Sequence, residues 1–181
     1  MEKHVQLWKE IENTVKTFNE EKALRCCQAI ENGNRIFLAG QGRSGLMMKA
    51  FAMRLMQLGF SAHVVGETTT PAIGEKDVLM IGSGSGETSS LVAMAQKAKG
   101  LGCSVVLITT SPDSTVGRLS EEILPIKAQV KSDSTGGGSI QPMGSLFEQA
   151  LILVLDTLVL HLMDRTEQSG EDMYRRHANL E

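Results

Sequence analysis

Aromatic residues make up only 4% of the 181 residues, and no run of basic residues is longer than the pair Arg175-Arg176. Acidic residues outnumber basic ones by 21 to 18, which gives a formal charge of −3. Proteins that bind nucleic acid usually carry a basic patch or stripe, so this composition argues against a nucleic-acid partner. We expect a small-molecule ligand instead.

Cysteine and histidine are scarce as well. The three cysteines form no C-x-x-C pair, and the four histidines show no spacing typical of metal ligands, so we expect reduced thiols and no metal site. The first residues lack the apolar run of a secretory signal. The most apolar stretch, 150–163, is shorter than the roughly 20 residues that span a bilayer. We therefore expect a cytoplasmic protein without a membrane segment, in which 150–163 is a buried helix.

Short apolar runs alternate with helical patterns along most of the chain, which is typical of a parallel sheet covered by helices. We predict one domain over residues 1–181: an α/β three-layer sandwich with a five-stranded parallel sheet in the order 2-1-3-4-5, two N-terminal helices and a C-terminal helical tail. The glycine- and serine-rich stretch 131–140 predicts a mobile loop before a long helix that has Pro142 in its first turn. The predicted strands are 36–39, 62–65, 78–81, 105–108 and 123–126, and the main helices between them are 46–58 and 88–101.

Two glycine-rich turns, 40–45 and 82–88, each follow a predicted strand and lead into a helical stretch. Such turns let backbone N–H groups converge on an oxyanion at a helix N-terminus, and serine and threonine hydroxyls add donors. In a sheet of order 2-1-3-4-5 the two turns meet over one crevice. The sequence therefore predicts a phosphorylated small molecule as ligand. The candidate phosphate-binding residues are Gly42, Arg43, Ser44, Ser83, Gly84, Ser85 and Thr88.

Other interpretations of these turns remain open at this point. The first turn is a literal G-x-G-x-x-G, with Glu67 after the second strand, and this pattern resembles a dinucleotide fingerprint. However, a second hydroxyl-rich loop is not needed in such a fold. The glycines could also serve only tight turns, although that explains two loops with four hydroxyls poorly.

Two further residues are candidates for chemistry. Glu148 follows the predicted loop in the first turns of the long helix, where it could be a general base or a solvated carboxylate that favours the helix N-terminus. His177 could be a surface histidine of the tail or part of a site that a neighbouring subunit completes. The residues alone leave both alternatives open.

The serine-rich turn at 83–88 resembles the sugar isomerase (SIS) domain family, whose members bind phosphosugars through this loop. Further segments resemble the 6-phospho-3-hexuloisomerases within that family and cover most of the chain from the first strand to the terminus. These segments are 40–45 (G-Q-G-R-S-G), 51–56 (F-A-M-R-L-M), 66–71 (G-E-T-T-T-P), 142–148 (P-M-G-S-L-F-E) and 176–180 (R-H-A-N-L).

This resemblance implies isomerisation of a hexulose 6-phosphate through a 2,3-enediol, with no redox cofactor and no metal. It implies that Glu148 is the general base and that His177 handles protons at the sugar oxygens from an adjacent chain of a homotetramer. Two alternatives within the family are a phosphosugar-sensing domain without turnover and an isomerase of the arabinose 5-phosphate type.

Overall fold

The computed structural model describes residues 2–128 and 139–180. Its five strands form one parallel sheet in the order β2-β1-β3-β4-β5, as the sequence predicts. The strands are β1 (Ile36–Gly40), β2 (Ala62–Val64), β3 (Val78–Gly82), β4 (Ser104–Thr109) and β5 (Glu122–Pro125). The helices are α1 (Lys3–Val15), α2 (Glu20–Asn32), α3 (Gly42–Gln57), α4 (Ser89–Gly100), α5 (Thr115–Leu119), α6 (Ser145–Thr166) and α7 (Gly170–Tyr174).

The three central strands, β1, β3 and β4, are buried on both faces, because they are almost continuously apolar and successive side chains point to opposite sides. The edge strands β2 and β5 are partly buried. Leu38 and Met80 face a core formed with α2, α3 and α6. Phe37 and Leu79 face a second core formed with α4 and α5. Helix α1 packs on the outside of α6. The predicted three-layer α/β architecture is confirmed.

Two helix starts differ from the sequence prediction. Helix α3 begins at Gly42 rather than at residue 46, because the glycine turn is itself the first turn of the helix. A Cβ atom on Gly45 would lie 2.6 Å from the carbonyl oxygen of Gly40, so only glycine allows the strand and the helix to approach this closely. Helix α6 begins at Ser145 rather than around Pro142, because Met143 has a φ of 57° and interrupts the helix.

Helix α6 is the apolar stretch that the sequence singled out. Among the described residues it is long and apolar enough to cross a membrane, yet 56% of its most apolar window is buried inside the fold. It is the central helix of one core, as predicted. The cysteines are buried free thiols, and burial raises the pKa of both Cys26 and Cys27 to about 12.

The predicted loop 131–140 lies largely outside the described residues. Beyond α6, the tail forms the short helix α7, where Ser169 and Asp172 make a capping box. The Arg176 guanidinium fixes this tail to the body of the protein by donating to the carbonyl oxygen of Gln57 at 3.1 Å, at the C-terminal end of α3.

Candidate active site

The two glycine-rich turns meet at the carboxyl edge of the sheet. Strands β1 and β3 are hydrogen-bonded neighbours, and Gly40 is paired in register with Gly82. The Gln41 amide donates to the Ser90 hydroxyl at 3.2 Å and links the first glycine-rich turn to the start of α4, which follows the second. The structure therefore brings the predicted phosphate-binding loops together, at the position where ligands bind in open parallel sheets.

The second turn, residues 82–88, is organised by its own hydroxyl groups. The Ser83 Oγ accepts a hydrogen bond from the Gly86 N–H at 3.1 Å, and the Ser85 Oγ accepts one from the Glu87 N–H at 3.2 Å. A hydroxyl that accepts a bond still has its own proton to donate. Both serines can therefore shape the loop and donate to a phosphate oxygen at the same time. Thr88 lies beside them at the N-cap of α4.

Strand β4 holds this turn in place from behind. The carbonyl oxygen of Gly84 accepts hydrogen bonds from both hydroxyls of Thr109 and Thr110, at 2.9 and 2.7 Å. Gly86 has a φ of 62°, and a Cβ atom there would lie 2.0 Å from the Ser114 hydroxyl. The loop is thus fixed before any ligand arrives, which lowers the entropic cost of binding.

The first glycine-rich turn, residues 40–45, contributes a helix N-terminus. Gly42, Arg43 and Ser44 form the first turn of α3, where backbone N–H groups have no acceptor inside the helix and the helix dipole is positive. The N-terminus of α4 follows the second turn. We predict an anion site where these two positive helix ends meet the serine loop, residues 82–88, and we refer to these parts together as the phosphate end.

A buried carboxylate lies at the start of α6. Glu148 is only 3% exposed, and its Oε2 lies 3.2 Å from the Nη1 of Arg43. The same nitrogen donates to the Ser145 hydroxyl at 2.9 Å. Arg43, which the sequence placed among the phosphate ligands, therefore contacts the candidate base in this structure. We refer to Arg43, Ser145 and Glu148 as the base end.

Sequence reasoning did not single out Ser145, although it lies inside the segment 142–148 that carries the family resemblance. Its hydroxyl donates to the carbonyl oxygen of Pro142 at 2.8 Å and accepts from Arg43. It therefore connects the residues before α6 to the guanidinium. The sequence signal that could have identified Ser145 is a hydroxyl residue at the start of a helix with an acid, Glu148, three residues later.

The phosphate end and the base end touch each other through Phe147. Its ring atoms lie 3.4 and 3.7 Å from the position that a Cβ atom on Gly84 would take. The start of α6 therefore packs directly on the serine loop. A ligand held by the loop lies beside the turn that carries Glu148.

The structure does not bring His177 to Glu148 of the same chain. His177 is exposed, and its ring stacks on Tyr174 with the centroids 6.0 Å apart. The tail is fixed at the C-terminal end of α3, whereas Arg43 is at the N-terminal end, about 21 Å away at 1.5 Å per residue. Along α6, the tail likewise follows the end opposite to Glu148.

The described ranges 2–128 and 139–180 contain no group of three or more histidine, cysteine or acidic residues that could hold a metal ion. The polar groups of the site are hydroxyls, backbone N–H groups and charged side chains.

Comparison with known proteins gives the chain its family. The SIS domain profile matches residues 29–153. The 3-hexulose-6-phosphate isomerase of Bacillus subtilis is 45% identical over 97% of this chain and 96% of its own length. The enzyme of the same name from Mycobacterium gastri is 42% identical over 95% of this chain and 86% of its own length.

A solved structure agrees with these sequence matches. The crystal structure of a hypothetical protein from Methanococcus jannaschii, for which a molecular function of 3-hexulose-6-phosphate isomerase has been inferred, superposes with a TM-score of 0.86. It is 31% identical, and the match covers 100% of both chains. The resemblance stated from the sequence motifs is confirmed, and the chain belongs to the SIS domain family, together with these two 3-hexulose-6-phosphate isomerases.

Proposed function

We propose that this protein interconverts D-arabino-hex-3-ulose 6-phosphate and fructose 6-phosphate. One observation supports this most strongly: a carboxylate that is 3% exposed lies on a helix that packs against the serine loop. The loop provides donors for the phosphate of a sugar, and the carboxylate provides a base for a carbon-bound proton. The near full-length identity to curated 3-hexulose-6-phosphate isomerases supports the substrate.

The reaction needs one proton to leave carbon and one to return. Glu148 takes the C2 proton of the 3-ulose, the electron pair forms the C2–C3 double bond, and the C3 carbonyl oxygen takes a proton to give a 2,3-enediol. The C2 hydroxyl then loses its proton to form the new carbonyl, and a proton returns to C3. No electron acceptor enters this balance.

The Arg43 guanidinium suits this chemistry in two ways. Its Nη1 lies 3.2 Å from Oε2 of Glu148, a charge-assisted contact that holds the buried carboxylate in place. Its side chain is 54% exposed, so it is also accessible to a ligand beside Glu148. There it can stabilise negative charge on the enediol oxygens.

We assign proton transfer at the sugar oxygens to His177 of a second chain. The tail that carries His177 starts near the C-terminal ends of α3 and α6, whereas the base end lies at their N-terminal ends. We infer that His177 does not reach the crevice of its own chain. A second chain packed in the opposite direction would bring this tail to the crevice of the first. We propose a homotetramer with such shared sites.

The proposed reaction also suggests a cellular role. A hex-3-ulose 6-phosphate arises when formaldehyde is fixed on ribulose 5-phosphate, and its conversion to fructose 6-phosphate is the second step of that ribulose monophosphate route. We propose that the protein works there, in the cytoplasm.

Solvent exchange tests this function directly. We would incubate the protein with fructose 6-phosphate in deuterated water and follow the carbon-bound protons by NMR. A 2,3-enediol predicts deuterium at C3 and the appearance of a second hexulose phosphate. Exchange at C1 alone would indicate a 1,2-enediol and an aldose–ketose isomerase, and no exchange would indicate a sensing domain. Glu148→Gln is the control that should suppress the C3 signal.

A further inference from the structure

A carboxylate on α1 holds the residues that lead into α6. Both oxygens of Glu10 accept hydrogen bonds from this segment, although more than 120 residues separate the two along the chain. The Ser139 hydroxyl donates to Oε2 at 2.6 Å, and the Ile140 N–H donates to Oε1 at 2.7 Å. The Gln141 amide donates to Oε2 at 3.2 Å. Three donors from consecutive residues thus converge on one side chain.

Glu10 is suited to accept these bonds at neutral pH. Burial raises the pKa of its carboxyl, but the hydrogen bonds from Ser139, Ile140 and Gln141 outweigh burial and hold the pKa below its ordinary value. The group is therefore ionised at neutral pH, and both its oxygens act as acceptors. Hydrogen bonds to an ionised acceptor are shorter and stronger than neutral ones.

The anchored segment is joined to the base end by a short, strained link. Met143 has a φ of 57°, a conformation that is costly for a residue with a side chain and persists only where the surroundings hold it. Just before Met143, the carbonyl oxygen of Pro142 accepts from the Ser145 hydroxyl, which in turn accepts from Arg43. Two sets of hydrogen bonds, joined by the peptide bond between Gln141 and Pro142, therefore connect α1 to Arg43, the neighbour of Glu148.

We propose that Glu10 is a positioning residue for the base end: by fixing residues 139–141 it sets the first turn of α6 and so the place of Glu148. The expected effect of Glu10 on turnover rests on the proposed function. Helix α1 lies outside the residues 29–153 that match the SIS domain profile, so the proposal places part of the active-site support in an element beyond that matched range.

The test compares Glu10→Gln with Glu12→Gln. Both replace a carboxylate by an amide on the same helix, but Glu12 pairs with Lys16 at the surface. We expect Glu10→Gln to lower kcat about tenfold, because a misplacement of the order of 1 Å at a catalytic group has effects of that size or larger. Inhibition by inorganic phosphate should change by less than about twofold, since the phosphate end is held by β4 instead. Glu12→Gln should leave both constants at the parent's values.

Ser139→Ala gives a second, milder variant and a double-mutant cycle. If Glu10 acts through this hydrogen bond, the double variant should lose no more kcat than the worse single variant. Additive losses would overturn the proposal. A fall in melting temperature without a fall in kcat would do so too, because it would reveal a purely structural role.

Amide hydrogen exchange provides a readout that does not depend on turnover. Glu10→Gln should speed exchange in residues 139–148 and leave 82–88 unchanged, whereas Glu12→Gln should change neither. Unchanged exchange in 139–148 would overturn the proposal even if the protein has some other activity. A parent protein that fails to convert the hexulose phosphate, but shows this exchange pattern, would instead overturn the proposed function alone.

Discussion

The phosphate end and the base end of the site are built in different ways. The serine loop, 82–88, folds around its own hydroxyls and is held by the adjacent strand β4. The base end joins Arg43 on α3 to Glu148 on α6, and Ser145 reaches the guanidinium across the same gap. The first is largely local in sequence, whereas the second exists only once the helices have packed.

This difference separates binding from chemistry. A pre-formed loop with β4 behind it can bind a phosphate without a contribution from the side chains of Ser145 and Glu148. A base that depends on helix packing can be displaced by changes far from the substrate. We therefore expect variants of the base end to lose turnover while they retain phosphate affinity, and variants of the phosphate end to do the opposite.

The largest effect should come from Glu148→Gln. The amide keeps the shape of the side chain but cannot accept the C2 proton, so kcat should fall by about 10² to 10⁴. Inhibition by inorganic phosphate should stay within about twofold of the parent if the two ends are separate. Asp156→Asn, an exposed acid on the same helix, is the matched control for steady-state kinetics. Turnover at the parent's rate would remove Glu148 as the base.

Ser85→Ala and Thr88→Val should act at the other end. Each substitution removes one donor to a charged phosphate oxygen, worth about 1.5 to 3 kcal/mol. Inhibition by phosphate should therefore weaken, and KM should rise, by about tenfold or more. The value of kcat at saturation should change little. Ser61→Ala is the control, because Ser61 precedes β2 at the opposite edge of the sheet. Unchanged KM in both variants would show that the loop does not hold the phosphate.

Arg43→Met sharpens the comparison, because the sequence and the structure place this residue at different ends. A base-end role predicts a fall in kcat of about tenfold, the value of one charge-assisted hydrogen bond at a half-exposed site. Steady-state kinetics would measure this fall, while inhibition by inorganic phosphate should stay within about twofold of the parent.

The control for Arg43→Met is Arg54→Met, an exposed arginine on the same helix. If Arg43→Met instead loses phosphate inhibition at an unchanged kcat, Arg43 belongs to the phosphate end, as its position in the first turn of α3 suggested.

Sequence patterns predict the position of the two glycine-rich turns well because the determinants of each turn are adjacent in the chain. Glycines and hydroxyls that follow an apolar strand are sufficient to place residues 82–88 at the carboxyl edge of the sheet. The strand order and both cores follow from the same alternation. The start of α6 is harder to predict from the sequence, because Pro142 favours a first helical turn but the backbone of Met143 interrupts the helix there.

The base end could not be predicted in the same way. Arg43 and Glu148 are paired by the packing of α3 on α6, which no local pattern encodes. Glu10 gives no signal at all in the sequence, where it is one of two acids on an amphipathic helix. Only the resemblance to a family indicated that Glu148 is more than a favourable charge near a helix N-terminus.

The proposed role of His177 extends the comparison of the phosphate end and the base end to a second chain. Truncation after Tyr174, or His177→Ala, should lower turnover by about 10² or more while phosphate inhibition remains, because a proton-transfer group is lost and the phosphate end is not. Neither change touches the described contacts of the serine loop.

The most direct test of an active site shared between chains is to mix two inactive variants. Glu148→Gln and His177→Ala are combined in equal amounts, and subunit exchange is verified by mass spectrometry of differently labelled chains. If each site takes Glu148 from one chain and His177 from another, random exchange restores about a quarter of the parent's turnover. The account predicts that recovery. No recovery after complete exchange would contradict it, because both residues would then belong to one chain or His177 would have no part in the reaction.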